Sequence, residues 1–392
     1  MDNPLHIVFA GGVTGGHLFP GLAVAEQIGL KTPGSQITFF GPGGALDRSE
    51  VVRAGHAYFE IDCPRAPRGF WRFPRFAQRL MLGQRQADAF LCRHRAAVVI
   101  GLGGFASAPA ALAATRRRVP LVLLEQNAVL GRANRWLSRW AKTLCQSFDE
   151  TAHTHGVSRG VPIVTGTPIR AEFNFSQNNG NSDRVLLVLG GSGGARALNE
   201  AMPPALAGLK HVLPGWRIIH QSGESAQGAT QAAYREVGVD ATVVPFIVDM
   251  ADTLGRAELA VCRAGGSTLA ELAATQTPAL LVPFPHATDD HQRHNAQRFE
   301  RAGAAALVDS KGLSTVELAT RLRVELSHLL LDGSARRQMG QSMATLARPR
   351  AAQQVAEIVL SLAAQNGPWT DGNSRVLRTA KSAISPALPT LD

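Results

Sequence analysis

A chain of 392 residues, 45% hydrophobic and only 18% charged, is long enough to bury two cores and too apolar for a disordered or coiled-coil protein. Its net charge of +10 comes wholly from the first half, because residues 1–170 hold twenty Lys and Arg against ten Asp and Glu while the remainder holds twenty of each. The dispersed cysteines Cys63, Cys92, Cys145 and Cys262 include no CxxC pair, which argues against a zinc site or a disulfide framework. With neither a signal-like start nor a run of roughly 20 apolar residues, a cytoplasmic protein that at most touches a membrane is expected.

Short Val, Ile and Leu runs alternate with helical patterns, as in a parallel sheet covered by helices on both faces. A first strand at residues 6–10 runs into Gly11-Gly12-Val13-Thr14-Gly15-Gly16 and then a helix, and a second strand is expected at residues 36–40. Next comes an unusual segment. Residues 65–95 hold eight arginines and one acid, Asp88, interleaved with Phe70, Trp71, Phe73, Phe76, Leu80, Met81 and Leu82. Apolar side chains of this kind enter a lipid headgroup region while arginines meet anionic phosphates. The plainer alternative is a helix that packs its apolar face inward. RNA binding would bring an RNP, KH or zinc motif, and none accompanies the segment, so no nucleic-acid partner is expected.

Strands at residues 97–100 and 121–124 complete the first half, the former leading into Gly101-Leu102-Gly103-Gly104. Gly166-Thr167-Pro168-Ile169-Arg170 and the polar stretch SQNNGNSD at residues 176–183 have the composition of an exposed linker. Strands at residues 184–189, 216–220, 241–244, 258–261 and 279–282 repeat the scheme, the first followed by Gly190-Gly191-Ser192-Gly193-Gly194. Residues 316–364 read as successive helices, and residues 365–392 as a disordered tail. The expected organisation is a domain over residues 1–166, completed by a helix near 350–364, and a second domain over residues 167–345.

Glycine loops directly after strands and before helices bring backbone amides and the positive end of a helix dipole close to an anion. Turn formation alone accounts for one such loop less strainedly than for three. No GxxxxGK[ST] run is present, and no acidic residue ends a clean second strand, so neither an ATPase P-loop nor a dinucleotide site is indicated.

The segments AGGVTGGHLFPGLAVAE, GLGGFASAPAALAA, LEQNAVLGRANRWLSRWA, GTPIR, LGGSGGARALNE, CRAGGSTLAELAA and VPFPHATDDHQRHNA, in this order, resemble the MurG family of the GT-B superfamily. The resemblance implies an α/β fold of two facing Rossmann-like, doubly wound domains with parallel sheets. It implies transfer of N-acetylglucosamine (GlcNAc) from UDP-GlcNAc to the 4-hydroxyl of lipid I, giving lipid II for peptidoglycan. It also implies a peripheral place on the cytoplasmic face of the cell membrane, beside other cell-wall synthesis proteins.

By the same resemblance Glu271 takes the ribose hydroxyls, the Ile247 backbone meets uracil, Ser192 and Arg170 bind the diphosphate with Thr268 beside them, and Gln292 and Asn127 approach the sugar. Thr14, Gly15 and Gly16 form the first loop, in which Val13 is an insertion relative to the GGTGGH pattern. His291 stands where a second glutamine is common. His17, after Gly16 at a helix start, is the expected base; the dipole there keeps an imidazole neutral. No cofactor and no metal are required. The rivals are another GT-B lipid glycosyltransferase, a UDP-GlcNAc 2-epimerase and an inactive cell-wall scaffold.

Overall fold

The computed structural model describes residues 4–12, 15–63, 73–152, 160–174, 184–191 and 194–366. Its strands are β1 (His6–Ala10), β2 (Gln36–Gly41), β3 (Ala57–Glu60), β4 (Val98–Gly101), β5 (Leu121–Glu125), β6 (Thr143–Gln146), β7 (Val161–Val164), β8 (Arg184–Leu189), β9 (Trp216–Gln221), β10 (Thr242–Val244), β11 (Ala257–Cys262), β12 (Ala279–Leu281) and β13 (Ala305–Leu307). They form a seven-stranded sheet in the order β3-β2-β1-β4-β5-β6-β7 and a six-stranded sheet in the order β10-β9-β8-β11-β12-β13. Every pairing is parallel.

The central strands are apolar at consecutive positions because both faces are covered. Along β1, Ile7 and Phe9 enter one core while Val8 and Ala10 enter the core on the other face. Leu186 and Val188 of β8 are divided from Leu187 and Leu189 in the same way. The order of strands reverses between β1 and β4 in one sheet and between β8 and β11 in the other. In an open parallel sheet the crevice beyond the strand ends at that reversal is where ligands bind. The glycine loops after β1, β4 and β8 all lie at these two points.

The nine expected strands are present, and four more, β3, β6, β7 and β13, carry too little pattern to be read from sequence. Strands β3 and β7 are sheet edges, half-exposed, and β7 contains Pro162, which an edge tolerates. Helices Thr315–Leu331, Gly333–Leu346 and Ala351–Asn366 occupy the region read as helical. The last of these crosses back and buries Val355, Ala356 and Val359 against the helix Gly15–Lys31, with an ion pair from Lys31 to Glu357 at 2.9 Å. It includes residues 365 and 366, which the sequence reading gave to the tail; residues 367–392 and the linker stretch 176–183 lie outside the described residues. Among the described residues no helix is long and apolar enough to cross a membrane.

Candidate active site between the two domains

The reversal point of the six-stranded sheet opens into a cleft of about 910 Å³. Gly190, Gly191 and Gly194 line it after β8, and Gly265 and Thr268 line it at the start of the helix Gly266–Thr275. That helix has no side-chain cap, which leaves its first amides and its positive dipole end for an anion. Glu271, one turn further along, also faces the cleft. Burial pushes its carboxyl up to about 7, against the pull of the Arg170 guanidinium and with help from Glu172. Gln292 lines the cleft with Oε1 accepting from the Phe284 amide at 2.9 Å. Arg263 is fixed there by donating to the Val282 and Pro283 carbonyls at 2.9 and 3.0 Å.

A second cavity, about 270 Å³, lies between the domains and is lined by His17, Gly103, Glu125 and Asn127 from one side and Asp289 and His291 from the other. Burial holds the His17 pKa below the usual imidazole value; the Glu125 carboxylate opposes this and His291 adds to it. The ring rests on Gly103, where φ is +106° and a Cβ would come within 2.8 Å of His17 Cδ2. Only glycine fits that position.

Glu125 ends β5 almost fully buried, and its oxygens accept from Asn127 N at 3.1 Å and from Asn127 Nδ2, Gly131 N and Asn134 Nδ2 at 2.9 Å each. These four donors fix the carboxyl in place.

Polar contacts join the two halves around these cavities. Asn295, wholly buried, donates to Asn127 Oδ1 at 3.1 Å and to the Ala264 carbonyl at 3.0 Å, and accepts from Ala128 N at 2.8 Å. Ser267 Oγ donates to the Gly16 carbonyl at 2.7 Å. Gly266 packs so close to the Gln126 carbonyl that a Cβ would collide with it. Arg132 donates twice to Asp289, at 2.8 and 3.2 Å.

Of the residues expected from sequence, Thr268, Glu271 and Gln292 meet in the cleft, while His17 and Asn127 meet in the interdomain cavity. Gly15 and Gly16 begin the helix that carries His17, and the Gly16 carbonyl touches the second domain. Arg170 lines neither cavity. Its guanidinium lies 4.7 Å over the Phe19 ring and 5.2 Å over Phe173, ion-paired to Glu172 at 2.9 Å, and acts on Glu271 electrostatically. Its Nε is buried without a hydrogen-bond partner among the described residues. Ile247 is buried in the core under the second sheet and lines neither cavity. Thr14, Val13 and Ser192 lie outside the described residues.

Glu125, Asn134, Arg263 and Asn295 escaped the sequence reading. A carboxylate at the C-terminal end of a strand, as in Leu124-Glu125-Gln126-Asn127, is the signal that would have found the first of them.

The glycosyltransferase family 28 N-terminal domain matches residues 7–146, and its C-terminal domain matches residues 185–355. A protein of Pelobacter propionicus is 37% identical over 383 residues, covering 91% of this chain and 99% of its own. One of Xanthomonas campestris pv. campestris (strain B100) is 41% identical over 379 residues, covering 94% and 84%. Both are named UDP-N-acetylglucosamine--N-acetylmuramyl-(pentapeptide) pyrophosphoryl-undecaprenol N-acetylglucosamine transferase. The crystal structure of Acinetobacter baumannii MurG superimposes with a TM-score of 0.71 at 31% identity, over 91% of this chain and 99% of that one. With relatives of this identity spanning nearly the whole chain, on the same paired domains, the chain belongs to the MurG family of glycosyltransferase family 28.

Proposed function

We propose that the protein is an inverting hexosyltransferase that moves GlcNAc from UDP-GlcNAc to the 4-hydroxyl of the N-acetylmuramyl residue of lipid I, giving lipid II and UDP. The observation that carries this reading is the junction of two unlike cavities. One, in the second domain, has the glycine turn, an uncapped helix start and Glu271; the other, between the domains, has an imidazole kept neutral by burial. Residues 288–292 border both, with Thr288, Asp289 and His291 on one and Gln292 on the other.

In this arrangement Glu271 accepts hydrogen bonds from the ribose, and the glycine turn and helix start, with Arg170 nearby, hold the diphosphate. Gln292 faces the sugar of the donor. His17 takes the proton of the acceptor hydroxyl as that oxygen bonds to the anomeric carbon and UDP leaves from the opposite face.

Incubation with radiolabelled UDP-GlcNAc and lipid I is expected to place label in the lipid, with weak competition from UDP-galactose and UDP-glucose. Free N-acetylmannosamine would indicate an epimerase, equal use of UDP-galactose another lipid glycosyltransferase, and no product an inactive scaffold.

A lipid-linked acceptor supports a peripheral site of action at the cytoplasmic face of the cell membrane, near other cell-wall synthesis proteins, and with it a part in cell shape and division. The helix Phe73–Arg93 supports a membrane contact. It exposes Phe73, Met81 and Leu82 among Arg75, Arg79 and Arg85, and Phe76 packs 6.0 Å from Phe105, which borders the interdomain cavity. Phe70 and Trp71 of the same segment lie outside the described residues. Changing Phe70, Trp71, Phe73 and Phe76 to serine should reduce sedimentation with anionic liposomes and leave UDP affinity unchanged. Undiminished sedimentation would refute the tether.

A further inference from the structure

Two imidazoles line the interdomain cavity, His17 from the first domain and His291 from the second. His291 opens the helix His291–Arg301 after Asp289 and Asp290, whose φ values of +54° and +53° are uncommon for residues other than glycine. Three contacts hold this turn. Asp289 accepts from Arg132 of the first domain, Asp290 accepts from Lys311 at 3.1 Å, and the Thr288 carbonyl accepts from His291 Nδ1 at 2.7 Å. A carbonyl oxygen only accepts, so Nδ1 carries a hydrogen and Nε2 is the ring nitrogen left for other contacts. Left-handed backbone maintained by this many ties is characteristic of positions where a side chain must be placed.

We propose that His291 is a positioning residue for the reaction: from the opposite domain it keeps His17 in the neutral form that a base requires. This rests on His17 being the base of the proposed transfer. Among the described residues, the other charged side chains that line this cavity are Glu125, Arg132 and Asp289. Arg132 and Asp289 pair with each other and largely cancel, the helix Gly15–Lys31 presents its positive end, and Glu125 supplies one anion fixed by four donors. A small cavity with one fixed negative charge accommodates one imidazolium, and a second beside it is repelled. Burial, the larger effect on His17, and the charge His291 contributes act in the same direction. A positive charge on His291 therefore disfavours a proton on His17, which keeps its lone pair.

Glutamine at position 291 has similar reach and no charge, so it removes that repulsion. His291→Gln should move the acidic limb of kcat/KM to higher pH, lowering activity at about pH 6 by roughly threefold or more while changing the alkaline plateau by less than about twofold. His291→Lys, which keeps a positive charge there, should move the limb the other way. In protein labelled with 13C at histidine Cε1, the resonance lost in His17→Ala identifies His17, and its titration midpoint should rise in His291→Gln.

An unchanged midpoint with an unchanged limb overturns the proposal. A loss of kcat uniform across pH also overturns it, since that marks a merely structural role. The resonance titration requires no turnover, so a wild-type protein without transferase activity would sink the base assignment separately from the coupling of the two rings.

Discussion

His17→Ala is expected to lower kcat by about 10²- to 10⁴-fold with saturating substrates, the range for loss of a general base, while UDP affinity stays near that of the wild type. The separation follows from the geometry. His17 borders the interdomain cavity, whereas the cleft that carries Thr268 and Glu271 is built by other residues. Burial lowers the affinity of His17 for a proton, which keeps it competent as a base at neutral pH. Measuring kcat and KM for both substrates beside titration calorimetry with UDP separates chemistry from binding, with circular dichroism to show a folded variant. Near wild-type kcat would move the base elsewhere in the cavity, and a raised acceptor KM with kcat unchanged would make His17 a binding group.

Glu271→Ala should instead weaken UDP binding by about 1.5 to 3 kcal/mol, or one to two powers of ten, the worth of charge-assisted hydrogen bonds. The free carboxyl titrates near 7 because burial penalises its anion. Ribose hydroxyls donate to it and favour that anion, so UDP binding should release protons below about 7 and tighten as pH rises through that value.

Stability runs the opposite way. A carboxyl whose pKa is raised in the folded state binds more protons folded than unfolded, so the free protein loses stability as pH climbs from the ordinary carboxylate range through about 7. Glu271→Gln removes that loss, and at about pH 8 the variant should melt above the wild type while binding UDP less tightly. Equal affinity at every pH would place the ribose elsewhere.

How far the sequence could be read depended on how local each signal was. Strands buried on both faces, such as His6–Ala10 and Arg184–Leu189, announce themselves as unbroken apolar runs. Ala305–Leu307 has two alanines in three residues, and Thr143–Gln146 has only Leu144 and Cys145 between two polar residues, so neither offers enough apolar side chain to mark a strand. The cleft was legible because its glycine turn and its helix start each lie within a dozen residues.

Contacts between the domains were not. Asn295 meets Asn127 across 168 positions, and Arg132 meets Asp289 across 157. Neither pair leaves a periodicity or a spacing, since only the docking of two separate sheets brings it together. His291 drew little weight for the same reason: its significance depends on a ring from the other domain.

The return of the helix Ala351–Asn366 to the first domain affects how the chain is made. Val355, Ala356 and Val359 fill the same core as Ile7, Phe9 and Leu22. The first sheet is therefore threaded long before its covering layer exists. At ordinary translation rates of about 5 to 20 residues per second, the intervening 200 or so residues take roughly 10 to 40 s to emerge. Throughout that interval an apolar strip beside Ile28 awaits its cover, open to chaperones and to neighbouring nascent chains, and the second domain has time to fold first. A chain released short of the last helix would keep that apolar flank of the first domain exposed.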